Sequence, residues 1–276
     1  MKEIDKIEDI NKEYINELLK DLAKNRPIFH NEQDFQFELA QKIKEYIKNE
    51  NIVVRLEYFI GEKKNIKNRI YIDIMIIQKD CGEKSNAIAI ELKYKTKKSE
   101  GKCLKEKFAL KDQGAVDWGC YYIHKDLKRI ENLVYGNIEN KEEKYNLDNI
   151  DVKKGFVIFL TNDDSYEKKR EGIFRYYSLN TNMEDNKKVI KQKGEILYGD
   201  KDKSNEENKY RLEDLEGKYL EDGGNLKEYK SVKGKKTITL SRTHIGEWSN
   251  YSNLKEYDTE KMDDIVDKLV FEVERN

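Results

Sequence analysis

Two acidic residues interrupt two apolar, β-like runs in the stretch RIYIDIMIIQKDCGEKSNAIAIELKYKTKK, residues 69–98: Asp73 in the first run and Glu91 in the second, with Lys93 two places on. A hairpin turning at Gly82 sets Asp73 opposite Glu91, nine residues to either side of the turn. Side chains alternate along a strand, so Ile70, Ile72, Ile74 and Ile76 share a core face with Ile88, Ile90 and Leu92. The other face carries Tyr71, Asp73, Met75, Ala87, Ala89, Glu91 and Lys93, and the alanines leave room beside the acidic pair. Directly opposed carboxylates have Cβ atoms roughly 5 Å apart and repel one another, so something positive has to bridge them.

A hard divalent cation meets that need. Mg²⁺ takes oxygen ligands, uses one or two carboxylates and keeps several waters. Lys93, a compact point charge on the same face, is placed to hold a metal-bound water or a phosphate oxygen. Such an assembly suits phosphodiester hydrolysis, in which the metal polarises the phosphoryl oxygen and makes a nucleophile of water. The competing reading is a cross-strand ion pair on a solvated sheet face. Glu-x-Lys strings recur at Glu62, Glu100, Glu142 and Glu167, so the placement of this one carries the information and the string alone does not.

The elements that must position these residues follow from periodicity. Ile7, Ile10, Tyr14, Leu18 and Leu22 recur at helical spacing and stop before Pro27, the only proline. Asn31 is an N-cap for a second helix over about 31–49, with Leu39, Ile43, Tyr46 and Ile47 on its apolar stripe. At 100° per residue Glu32 and Gln36 share that inward side, whereas Asp34 and Glu38 point away. IVVRLEYFI reads as a strand before the hairpin, KFALKDQGAVDWGCYYIHKDLKRIENLV as one or two helices, and GFVIFLTND as a buried central strand. Residues 181–236 turn polar and lose periodicity, with a short helix near YRLEDLEGKYL, and KTITLS and KLVFEVE read as late strands that rejoin the core.

Composition limits the function classes. The chain has 276 residues, 37% hydrophobic and 39% charged, with a net charge of −1, which suits one sizeable core and argues neither for nor against a nucleic-acid partner. Cys81, Cys103 and Cys120 have no metal-ligand spacing and form no even disulfide set, as expected of reduced thiols in the cytoplasm. No run of 18 or more apolar residues is present and the first residues lack a signal-peptide core, so no membrane partner is expected. His30, His124 and His244 lack partners at ligand spacing and read as structural. A basic run, Lys93, Lys95, Lys97, Lys98, Lys102, Lys105 and Lys107, is suited to phosphates beside the acidic pair or to a solvated loop. Asp126, Arg129 and Glu131 read as ion pairs bracing their helix against the core, or as contacts to nucleic acid.

Asp73 followed by Glu91-Leu92-Lys93 on the next strand resembles the PD-(D/E)XK nuclease superfamily, which has the restriction-endonuclease-like fold. The order helix, three strands, helix, strand over 31–161 is also the order of that fold's core. NEQDFQFELA, DQGAVDWGCYYIHKDLKRIE, FVIFLTND and GEWSNYS are similar to blocks of a bacterial branch of it. Ile72 stands where the motif's proline would be, a position that varies in the superfamily. The resemblance implies Mg²⁺ or Mn²⁺ held by Asp73, Glu91 and the Leu92 carbonyl, with Lys93 orienting the attacking water. It also implies an acid from the first core helix, here Glu32, and a Gln near the start of the helix after the catalytic strands, here Gln113.

The expectation is therefore one α/β domain over 1–276, with a mixed central sheet flanked by helices. Its restriction-endonuclease-like core spans about 28–180 and 237–275, and a polar insertion spans about 181–236. Its expected function is that of a metal-dependent nuclease acting on nucleic acid, DNA ahead of RNA, in a restriction or defence setting, as a homodimer or with an activating partner. The alternative is a non-catalytic module that binds nucleic acid or protein and keeps the fold.

Overall fold

The computed structural model describes residues 1–63, 68–79, 82–136, 143–167, 179, 182–184, 187–196, 218–220, 226–228, 238–262 and 264–275. After a single 3-10 turn at Ile7–Asp9 come α1 (Lys12–Ala23) and α2 (Glu32–Tyr46), then β1 (Ile52–Lys63), β2 (Arg69–Gln78) and β3 (Ser85–Lys95). A small hairpin, β4 (Ser99–Cys103) and β5 (Glu106–Leu110), precedes α3 (Val116–Tyr135), β6 (Glu143–Tyr145) and β7 (Ile150–Thr161). Four strands follow, β8 (Asn182–Glu184), β9 (Lys187–Ile196), β10 (Lys218–Leu220) and β11 (Leu226–Glu228). The chain closes with β12 (Ile238–Asn253), β13 (Thr259–Glu260) and β14 (Ile265–Glu274).

Seven strands form a mixed sheet in the order β6-β1-β2-β3-β7-β14-β12, which β9 and β8 extend at the β12 edge. Among the described strands of this sheet, only the central pair β3–β7 runs parallel. β13, β4 and β5 make a separate small sheet. The fold is thus α/β with helices on a mixed sheet; residues 238–241 of the strand expected at KTITLS and the whole of KLVFEVE fall in β12 and β14, while residues 236 and 237 lie outside the described residues.

Both faces of the sheet are core. α1 and α2 cover one, where Leu18, Phe35, Leu39 and Ile43 meet Ile74, Ile76, Ile88, Ile90, Leu92 and Phe156. α3 covers the other, where Ile123, Leu127 and Ile130 meet Met75, Ala87, Ala89, Val157 and Phe159. Burial on two faces is what a strand with a parallel neighbour requires, and it explains the unbroken apolar run of β7. The room expected beside Ala87 and Ala89 is taken by α3. Gly155 on β7 lets that helix approach, because a Cβ there would overlap the Ile130 side chain and the Ala89 carbonyl.

Asn31 caps α2 as expected, its side chain accepting the Asp34 N–H at 2.9 Å. α1 starts five residues later than the apolar repeat suggested, since Ile7–Asp9 form the 3-10 turn. The stretch 107–134 is not helical throughout: Phe108 and Leu110 alternate inward on β5, and the helix begins only at Val116. α3 ends at Gly136, whose φ of 66° is the left-handed stop that glycine supplies without strain. Cys103 and Cys120 are buried and in no disulfide among the described residues, and Cys81 lies outside the described residues. Most of 181–236, including Tyr210–Gly217 of the expected short helix, also lies outside them, and 218–220 are strand.

Candidate functional site

The β2–β3 hairpin has the expected register, with rungs Ile76↔Ile88, Met75↔Ala89 and Ile74↔Ile90, but the ladder stops one step short of Asp73 and Glu91. The β1–β2 ladder also omits a rung here, between Leu56↔Ile74 and Tyr58↔Ile72, and Glu57 has a left-handed φ of 48°. The alternation resets at this point. Ile74 and Ile76 pack under α1 and α2, whereas Ile70 and Ile72 pack under α3, so the four isoleucines do not share the single face that simple alternation predicts. The Asp73 side chain replaces the missing rung: its Oδ2 accepts the backbone N–H of Leu92 at 2.6 Å.

Around this opening three elements converge. From α2, Glu32 accepts the Tyr94 N–H at 2.8 Å through Oε2 and lies 3.7 Å from Lys93 Nζ through Oε1. One turn later Gln36 Nε2 donates to the Asp73 carbonyl at 2.7 Å and to Glu57 Oε1 at 2.8 Å, tying α2 to both strands. From β3, Lys93 Nζ donates to its neighbour's carbonyl, Leu92 O, at 2.7 Å. From α3, Asp126 Oδ2 lies 3.0 Å from Lys93 Nζ, and Arg129 is paired with both Glu91 and Asp126, the latter at 3.3 Å.

The site is crowded with charge taken out of water. Burial pushes the Asp73 carboxyl up to about 6, against the pull of Lys93 and the Leu92 N–H. Burial also drives Glu91 well above its ordinary value despite Arg129, with Asp126 and Asp73 adding to the rise. For Lys93, burial alone would favour the neutral amine, but Asp126, Glu32, Glu91 and Asp73 outweigh it and hold the ammonium above its ordinary range. Four carboxylates face two cations, Lys93 and Arg129, which leaves two formal negative charges uncompensated when all are ionised.

Of the residues expected at the site, Asp73, Glu91, Leu92, Lys93 and Glu32 are brought together. Gln113 is not: it stands exposed in the coil before α3, with its backbone N–H on the Thr96 carbonyl. The expected helix start was too early, so Gln113 lacks the helical position that would aim it inward. Asp126 and Arg129, expected to brace α3 or to contact nucleic acid, lie among the residues of the site. Their i, i+3 spacing places both on one side of the helix. Glu131 does brace, pairing with Lys128 at 2.8 Å and with His244 at 2.9 Å. His30 contacts Glu106 and stacks on Phe108, and the buried His124 bonds the Cys120 carbonyl, as structural histidines do.

Asp73, Glu91 and the Leu92 carbonyl are oxygen donors of the kind Mg²⁺ or Mn²⁺ prefers. Each is engaged already: Asp73 with the Leu92 N–H, Glu91 with Arg129, and Leu92 O with Lys93. Among the described residues no group of three or more His, Cys, Asp or Glu side chains is gathered as a metal site. Nor, among them, is any helix long and apolar enough to cross a membrane. Comparison of the chain with protein-family models, curated proteins and solved structures finds no match in any of the three.

Proposed function

We propose that this chain is a metal-dependent nuclease with a restriction-endonuclease-like core, hydrolysing phosphodiester bonds with Mg²⁺ or Mn²⁺. The observation that carries the reading is the convergence of Asp73 with Glu91-Leu92-Lys93 where β2 and β3 part, with Glu32 reaching in from α2. Fully ionised, the four carboxylates and two cations carry a net charge of minus two that a divalent cation would offset, and the raised Asp73 and Glu91 carboxyls are those it would return to the anionic form. Asp73, Glu91 and the Leu92 carbonyl would hold it, taking over from the Leu92 N–H, Arg129 and Lys93. The bound ion supplies polarisation of the phosphoryl oxygen and a water of lowered pKa.

The chain's own residues supply the rest. Lys93, anchored by Asp126 and Glu32, keeps its proton and offers a positive charge to a phosphate oxygen or the attacking water. Gln36 fixes the Asp73 backbone, so the carboxylate is aimed by α2 as well as by its own strand. The substrate is nucleic acid, DNA ahead of RNA, and the acting form is a homodimer or the chain with an activating partner.

A second reading is favoured by one observation: the Arg129–Glu91 and Lys93–Asp126 pairs already neutralise much of the site. On that reading the fold serves as a non-catalytic module for nucleic acid or protein. Single- and double-stranded DNA and RNA, each incubated with Mg²⁺, with Mn²⁺ and with chelator, separate the two. A nuclease cleaves at least one substrate with metal, and Asp73→Asn abolishes the cleavage. Absence of cleavage on every substrate, with the folded wild-type chain, supports the module.

A further inference from the structure

Beside the site, the sheet exposes aromatic side chains where a solvated sheet face would be expected to carry polar ones. Phe59 on β1 and Tyr71 on β2 are directly paired across the strands, their ring centroids 5.9 Å apart at 65°. They stay 39% and 37% exposed. An edge-to-face pair covers only one face of one ring, so ring surface remains for a third partner to stack on. Arg69, exposed on the same strand two residues before Tyr71, adds a positive charge beside the platform.

The position of the pair matters more than its exposure. Tyr71 is two residues from Asp73 on β2, about 7 Å along a strand. Phe59 is two residues from Glu57 on β1. The Gln36 amide bonds both Glu57 and the Asp73 carbonyl, so the platform and the acidic cluster share one fixed frame. The neighbours of that frame are apolar and open as well: Phe37 follows Gln36 on α2 and is 53% exposed, and Leu56 precedes Glu57 and is 39% exposed. Scattered surface hydrophobics need no explanation, but these four lie within two residues in sequence of Gln36, Glu57 or Asp73, the three residues that the bridge ties together.

We propose that Phe59 and Tyr71, with Arg69 beside them, form a stacking platform for an unpaired base. The substrate class would then be single-stranded nucleic acid, or an unpaired end of a duplex, whose backbone the platform leads toward Asp73. Aromatic faces flanked by arginine suit a single strand because every base offers a π-face and every linkage a phosphate. A paired duplex hides its base faces and would meet only Arg69. The proposal deepens the nuclease reading and rests on it for the purpose of the platform, but binding can be tested without turnover.

The test uses full-length Asp73→Asn protein in chelator, with fluorescence anisotropy of a labelled oligothymidine and of the same strand annealed to its complement. Phe59→Ala and Tyr71→Ala should each weaken single-strand binding roughly 5- to 100-fold, and Tyr71→Phe should retain it. Duplex affinity should change little. Circular dichroism confirms that each variant is folded, and light scattering follows the oligomeric state. Single-strand affinity unmoved by both alanine variants overturns the platform, as does a loss that accompanies dissociation of a dimer, which would make the patch an interface between copies of this chain. Cleavage by the wild type with unaltered binding in the variants defeats this inference alone. Selective single-strand binding without any cleavage defeats the nuclease reading and leaves the platform standing.

Discussion

The Leu92 backbone N–H donates to the Asp73 carboxylate at 2.6 Å, so a side chain closes the strand pair one step beyond its last backbone rung. The consequence is a gap between two central strands with an acid on either side of it. Buried acids of like sign need a cation, and in this arrangement Arg129 supplies one to Glu91 while Lys93 sits among Asp73, Glu32 and Asp126.

Arg129→Ala should be strongly destabilising. It leaves Glu91, 2% exposed, without its counter-ion, and removing one partner of a buried pair costs about 3–5 kcal/mol. Urea unfolding in chelator measures the loss, and Glu91→Gln combined with Arg129→Ala should recover much of it. A loss below about 1 kcal/mol would mean that Glu91 finds another partner.

Asp73→Asn should behave in the opposite sense without metal. The amide oxygen can still accept the Leu92 N–H, while the desolvated anion is gone. Because the folded carboxyl titrates at about 6, above its ordinary 3.8, the wild type gains stability as pH falls through 6 toward 4. The variant should therefore be more stable by roughly 1–3 kcal/mol at pH 7, with the difference fading below pH 5. A constant deficit at every pH would make Asp73 a structural partner of Lys93.

His124 sets a second pH dependence of known sign. Its Nδ1 donates to the Cys120 carbonyl at 2.8 Å, and burial pushes the ring down to about 4 from 6.5. The unfolded chain takes up the proton first, so stability present above pH 6.5 is lost as pH falls toward 4, by roughly 3 kcal/mol for this group. His124→Leu should flatten that part of the profile in urea titrations between pH 7 and pH 5. An unaltered slope would place the titration elsewhere.

Much of this arrangement can be read from the sequence. The turn at Gly82 and the alternation of isoleucines give the β2–β3 register, and Asn31 with the spacing of Glu32 and Gln36 gives the inward side of α2. β5 cannot be read so easily, because Phe108 and Leu110 repeat at period two over only five residues beside a long helical pattern. Gln113 is misplaced for the same reason. Asp126 and Arg129 look like any i, i+3 pair on a helix. Their reach to Lys93 and Glu91 depends on how closely α3 lies on β7, which Gly155 decides through the absence of a side chain. The reset at Asp73 is equally invisible, since Glu57 carries no turn residue to announce its left-handed backbone.

The lysine run following β3 gives a prediction of its own. Lys97 is exposed, Lys98 lies 3.9 Å from Glu100, and Lys102 lies 3.0 Å from Glu260, so none is committed to the core. If these lysines neutralise phosphates, replacing all three with Gln should lower the slope of log affinity against log salt by about one for each phosphate no longer neutralised. An identical slope would mark the run as a solvated loop.

The central claim is that Asp73 and Glu91 hold a divalent ion, and Mn²⁺ binding followed by electron paramagnetic resonance tests it most directly. Wild-type protein, alone and with a non-hydrolysable oligonucleotide, should take up Mn²⁺ at a saturable site that Mg²⁺ competes for. Asp73→Asn and Glu91→Gln, folded by circular dichroism, should each lose it. Wild-type protein that shows no saturable Mn²⁺ site under either condition, or a site that both variants retain, would contradict the account.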